Sequence, residues 1–165
     1  MMSGKSTGGT NGRVEMREAR LEDLEAIVAL LKQLQRATSL SNPIEPAVVR
    51  ETFRAMFESP QVYRNFVAVE DGRVVGLLSL VLYRTLLHAG GTALINELVV
   101  AEGARGRGIG GRLVETAAEA ARECGMDEIE VGTERENRSA RRFYRRAGFD
   151  RQYVLFGREF DCSEG

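Results

Sequence analysis

Thr92-Ala-Leu-Ile-Asn-Glu-Leu-Val-Val-Ala-Glu-Gly-Ala-Arg105-Gly106-Arg107-Gly108-Ile109-Gly110-Gly111 is the stretch on which the reading of this chain turns. Its first nine residues are mostly apolar and read as a strand. From Ile109 onward, Ile109, Leu113, Ala117, Ala121 and Cys124 recur at three- and four-residue steps. That is the buried, mostly small-residue stripe of a helix, with Gly125 as its C-cap. Five glycines (Gly103, Gly106, Gly108, Gly110 and Gly111) and two arginines fill the junction. Glycine lets the backbone approach a ligand without a Cβ in the way. The first turn of a helix offers unpaired N–H groups and the positive end of its dipole. With Arg105 and Arg107 added, the junction reads as a seat for a phosphate or pyrophosphate.

Reading outward gives the rest of the domain. Residues 13–19 form a short strand with Val14 and Met16 on one face. Leu21, Leu24, Ile27, Val28, Leu31 and Leu34 mark an amphipathic helix over 22–37. Residues 38–46 hold two prolines and several hydroxyl residues and read as a loop. A second helix covers 47–58. Strands follow at 66–69 and 74–83, joined by the tight-turn dipeptide Asp71-Gly72. Beyond the glycine junction and its helix come a strand at 127–133, a helix at 139–147 and an extended segment from 149 to 160. Such an order describes one mixed α/β domain over 13–165. Residues 1–12, rich in Gly, Ser and Thr, read as a disordered tail or a cloning remnant.

Composition narrows the function classes. The chain has 165 residues and a net charge of −1, so no global field recruits nucleic acid or an anionic membrane. No run approaches the length that spans a bilayer. Two cysteines make no disulfide framework, no secretory h-region opens the chain, and a cytoplasmic setting is the default. A single histidine, His88, excludes a multi-histidine metal site. Cys124, on the buried stripe, reads as a core thiol. The arginine-rich run 135–146 reads as a solvated helix face.

Other phosphate ligands fit the junction less well. Ser3-Gly4-Lys5-Ser6-Thr7 mimics the end of a P-loop but has no buried strand before it. Gly106, Gly108 and Gly111 satisfy G-x-G-x-x-G, yet a dinucleotide fold needs that loop after its first strand, with repeated βαβ units behind it.

Arg105-x-x-Gly108-x-Gly110 resembles the R/Q-x-x-G-x-G/A acetyl-CoA signature of the GNAT superfamily of N-acetyltransferases. Asn137-x-x-Ala140-x-x-Phe143-Tyr144-x-x-x-Gly148-Phe149 resembles its second signature, N-x-x-A-x-x-F-Y-x-x-x-G-F. Glu102 departs from the proline that many members carry there. The resemblance covers about nine tenths of the chain. It implies a mixed, mostly antiparallel sheet of six to seven strands, flanked by about four helices, with two parallel strands that splay apart. It implies acetyl-CoA as co-substrate and no metal. Leu98, Val99 and Val100 would bond the pantetheine through backbone. Arg105, Gly106, Arg107, Gly108, Ile109, Gly110 and Gly111 would hold the pyrophosphate. Asn137 would reach the pantetheine from the other side, with Ala140 and Phe143 lining the cofactor.

Amine acetylation needs a neutral amine, a donor for the departing thiolate and an N–H to polarise the thioester oxygen. Tyr144 is the candidate acid, by its match to the family tyrosine. Glu97, a carboxylate inside the strand that must pass the thioester, is the candidate base. Strand alternation sets Glu97 opposite Asn96, which could orient a water instead, and a bulge would change which side chain enters the site. Expected acceptors are a small-molecule amine or a protein N-terminus, with nucleic acid and membrane excluded as partners. A homodimer through 153–160 is open by the resemblance. A non-catalytic acyl-CoA sensor on the same fold is the alternative function.

Overall fold

The computed structural model describes residues 13–38, 43–158 and 160. The P-loop mimic and the rest of 1–12, residues 39–42 of the predicted loop, and Cys162 lie outside them. Nine regular elements follow in order. They are β1 (Val14–Glu18), α1 (Leu24–Ala37), α2 (Pro46–Phe57), β2 (Tyr63–Glu70), β3 (Arg73–Tyr83), β4 (Thr92–Val100), α3 (Ile109–Glu123), β5 (Glu128–Val131) and α4 (Arg138–Arg146). Short 3-10 turns precede α1 and follow β4.

The sheet order is β1-β2-β3-β4-β5; the first four strands pair antiparallel and β5 runs parallel to β4. Asp71 and Gly72 both take positive φ in the β2–β3 turn, as an Asp-Gly hairpin requires. Among the described residues there are five strands, not the six to seven expected. The missing pairing is at the C-terminus. Residues 149–158 form no strand, and Tyr153, Val154, Leu155 and Phe156 are exposed. Their β-prone composition satisfied the sequence pattern, but a strand also needs a partner for its backbone groups.

Each face of the sheet buries one cluster. Phe66, Ala68, Leu78, Leu80, Ala93 and Ile95 pack on α3 through Ile109, Leu113, Ala117 and Ala121. Small residues on α3 and Gly76 on β3 let helix and sheet close: a Cβ at Gly76 would lie 3.0 Å from Leu113 Cδ1. On the other face Val67, Leu77 and Val99 pack on Leu24, Ile27 and Leu30 of α1 and Phe53 of α2. Cys124 is half-buried beside the α3 cluster, and its Sγ accepts from Arg64.

Entry into α1 is held by Asp23, whose carboxylate is only 6% exposed. It accepts two hydrogen bonds from the Arg17 guanidinium, at 2.7 and 2.9 Å, and one from the Arg20 backbone N–H at 2.7 Å. Arg17 first, then the backbone donor, holds the Asp23 carboxyl below its usual range despite burial. Its stabilisation is therefore present above the ordinary carboxylate range and lost as pH falls through the lowered value. Asp23→Ala should cost about 2 kcal/mol in urea unfolding at pH 7, because it strands the Arg17 charge and an N–H. The cost should shrink in acid.

Candidate active site

β4 is bonded to β3 along its whole length but to β5 only from Thr92 to Ile95. The last β4–β5 pair is Ile95 with Val131. From Asn96 to Val100 the side of β4 that faced β5 has no strand partner among the described residues, so an extended ligand can take the place of a strand there. The polypeptide then enters the glycine junction.

That junction is built to present backbone. Gly106 and Gly108 sit at φ of 76° and 77°, conformations an L side chain resists. Gly108 is the N-cap of α3, and the first intrahelical bond runs from Arg112 N–H to the Gly108 carbonyl. The N–H groups of Ile109, Gly110 and Gly111 lie in the first turn, which carries no acidic residue. Several contacts brace the loop. Arg105 Nε donates to the Val100 carbonyl at 3.0 Å. Arg107 forms a two-pronged pair with Glu70 at the end of β2, with one bond of 2.8 Å. Gln33 Oε1 of α1 accepts from the Glu102 N–H. Such a site fits a pyrophosphate: fixed donors at a helix N-terminus beside two guanidinium groups.

α4 reaches the same place through Phe143. A Cβ on Gly110 would sit 3.4 Å from the Phe143 ring and 3.7 Å from Val100 Cγ2, so glycine allows α4, α3 and β4 to meet. Asn137 caps α4; its Oδ1 accepts from the Ala140 N–H and from Ser139 Oγ, both at 3.0 Å. Ala140 is half-buried on the same helix. Tyr144 stacks edge-on against Phe143 and Phe149, with centroids 5.1 and 5.5 Å away. Burial raises its phenol above the ordinary value, so it stays protonated and able to donate.

The β4 register changes at a bulge. Ser79 pairs with Glu97 but Leu80 pairs with Ile95, which leaves Asn96 as the extra residue. Ala93 and Ile95 face α3 before the bulge, and Leu98 and Val100 do so after it. Glu97 is thereby turned to the α1 side with Val99, and Asn96 is exposed. Burial pushes the Glu97 carboxyl above its usual range, opposed by the nearby Ser79 hydroxyl. The structure thus brings together 98–100, the 105–111 loop and Phe143. Glu97 lies on the opposite sheet face from Leu98, and no hydrogen bond or ring contact joins it to Tyr144 among the described residues.

Glu70 and Ser79 are the two participants that sequence reading did not find. Ser79 faces its partner across the ladder and Glu70 reaches Arg107 in the glycine junction, and no spacing along the chain marks either pair. The one available signal for Glu70 was its place before Asp71-Gly72, which fixes it at a hairpin end. His88 lies between Asp127 and Glu128, at 3.3 and 3.2 Å, and ties the β3–β4 loop to the start of β5. Among the described residues no group of His, Cys, Asp and Glu is arranged to hold a metal. No described helix is long and apolar enough to cross a membrane.

A carboxyl that is harder to ionise folded than unfolded favours the native state at low pH and loses that benefit as pH rises through its raised value. Glu97→Gln should therefore raise the melting temperature at pH 8, by about 2 °C, and leave it nearly unchanged at pH 4. Scanning calorimetry at both pH values checks this.

The Acetyltransferase (GNAT) family model matches residues 27–149. An aminoalkylphosphonate N-acetyltransferase of Salmonella typhimurium is 35% identical over 86% of this chain and 88% of its own length. N-alpha-acetyltransferase 30 of Schizosaccharomyces pombe is 32% identical over 56% of this chain and 61% of its own. Among solved structures, a transcriptional regulator from Bacillus halodurans superposes with a TM-score of 0.78 at 29% identity, covering 90% of this chain and all of that one. With its parallel β4–β5 pair that ends at Ile95 and its glycine junction at the head of α3, the chain belongs to the GNAT family of N-acetyltransferases.

Proposed function

We propose that the chain transfers the acetyl group of acetyl-CoA to a small primary amine, by direct attack in a ternary complex. The observation that carries this reading is the unpartnered edge of β4 leading straight into a pyrophosphate seat. An extended pantetheine pairing with Leu98, Val99 and Val100 would run into the N–H groups of 109–111 and the charges of Arg105 and Arg107. A β4 backbone N–H at that edge would polarise the thioester oxygen.

The remaining groups supply proton handling. Glu97, harder to ionise than a surface carboxylate, is better matched to take a proton from an ammonium near neutral pH. Tyr144, kept protonated by burial, is suited to donate to the departing thiolate. Activity should therefore rise with pH as Glu97 loses its proton. For the acceptor, the named activity of the Salmonella relative makes an aminoalkylphosphonate the first compound to try. A non-catalytic acyl-CoA sensor is the second reading, favoured by the name of the Bacillus halodurans structure. A sensor has no use for the perturbed Glu97 and Tyr144.

Titration calorimetry should show saturable acetyl-CoA binding that Arg105→Ala/Gly108→Ala weakens at least about tenfold, with no comparable binding of NADH. Thiol release should follow on adding an aminoalkylphosphonate or the alkylamine of equal length. Tyr144→Phe should lower kcat by about 10²-fold while acetyl-CoA still binds. Binding without thiol release across an amine panel would favour the sensor.

A further inference from the structure

Ser79 of β3 is 4% exposed, and its Oγ is buried with no hydrogen-bonded partner among the described residues. An unpaired buried hydroxyl is a cost that a neighbouring group usually relieves. Directly across the ladder, at the bulge, is Glu97. Leu77 packs on the α1 side of the sheet and Leu78 on the α3 side, so Ser79 and Glu97 project together toward α1. The hydroxyl acts on that carboxyl and favours its charged form, although no full hydrogen bond has closed between them.

Among the described residues Ser79 is the polar group directly opposite Glu97 on this face, and Asn65 of β2 pairs with Ser79 from its other side. α1 presents Leu24, Ile27, Leu30, Leu31 and Leu34 to this face, and α2 presents Phe53. The titratable strand residues on the same side of the sheet are Glu15 and Arg17 of β1, the latter paired with Asp23, Tyr63 of β2, Tyr83 of β3, and Glu128 and Glu130 of β5. Tyr83 donates to Glu130 at 3.1 Å, and Glu128 is engaged by His88 and Tyr153. Burial raises the Glu97 carboxyl and the Ser79 hydroxyl opposes that rise.

We propose that Ser79 is a positioning residue for amine deprotonation, its O–H donating to the Glu97 carboxylate that awaits the acceptor's proton. This rests on the reading of Glu97 as base. When the proton moves from the ammonium nitrogen to Glu97, the carboxylic acid can donate and Ser79 Oγ can accept, so a hydrogen bond between the two is open to either protonation state. The bulge at Asn96 is what brings the two side chains opposite each other.

The test pairs a pH profile of kcat/KM with direct titration of the Glu97 carboxyl by carbon NMR, assigned by its loss in Glu97→Gln. In Ser79→Ala both the acidic limb and the carboxyl titration should move up by about one pH unit. Ser79→Thr, which keeps the hydroxyl, should move them back, and acetyl-CoA affinity should not change. A merely structural serine would move neither limb nor titration. If Glu97 titrates at the same pH in Ser79→Ala, the inference is overturned, while loss of the acidic limb in Glu97→Gln would still uphold Glu97 as base. If Glu97→Gln keeps both the limb and its rate, the base reading fails and takes the role of Ser79 with it.

Discussion

A strand inside a sheet satisfies its backbone on both sides, and β4 does so only as far as Ile95. Beyond that residue β3 still holds one side, while β5 has ended at Val131. Backbone N–H and C=O groups left open are costly unless water or a ligand meets them. Much of the neighbouring architecture maintains this opening. α3 fixes the far end of the strand through its N-terminal junction, α4 is wedged against Gly110 through Phe143, and the β2–β3 hairpin holds Arg107 through Glu70. None of these elements closes the gap.

Opposed charges and apolar contacts share the bracing. Val99 anchors one face of β4 to α1, and Ile95 anchors the other to α3. With both faces of the strand packed, the open edge cannot relax by twisting away. The Arg107–Glu70 pair is exposed and contributes little to global stability, since water and salt screen it. Its contribution is local: it limits where the loop can go, and Glu70 is held ionised below its usual range by that guanidinium.

Periodicity made most of the fold legible. The α1 stripe, the small-residue stripe of α3, the Asp71-Gly72 turn and the strand-to-helix glycine junction all lie where their spacing places them. Gly125 ends α3 at positive φ, as its position after Cys124 implied. Two things were not legible. Residues 149–158 have the composition of a strand, but pairing is a property of a partner, and none is offered among the described residues. The face taken by Glu97 depends on one extra residue in β4. Alternation alone gives both Glu97 and Ile95 to the same side, and the bulge at Asn96 separates them. Ser79 gained its significance only from Glu97 across the ladder, and Glu70 from Arg107 in the glycine junction.

Strand order that copies chain order has a consequence for how the molecule comes into being. β2, β3 and β4 form a meander, so each new strand can dock beside the one just made, and little loop entropy is spent. β1 must wait for two helices before it meets β2. β5 and α4 come last, and β5 has only four residues with which to hold on. During synthesis the sheet up to β4 can therefore be in place while the elements that frame its open edge are still emerging. The candidate binding cleft is thus the youngest part of the nascent domain, finished by the same α3 that covers one face of the sheet.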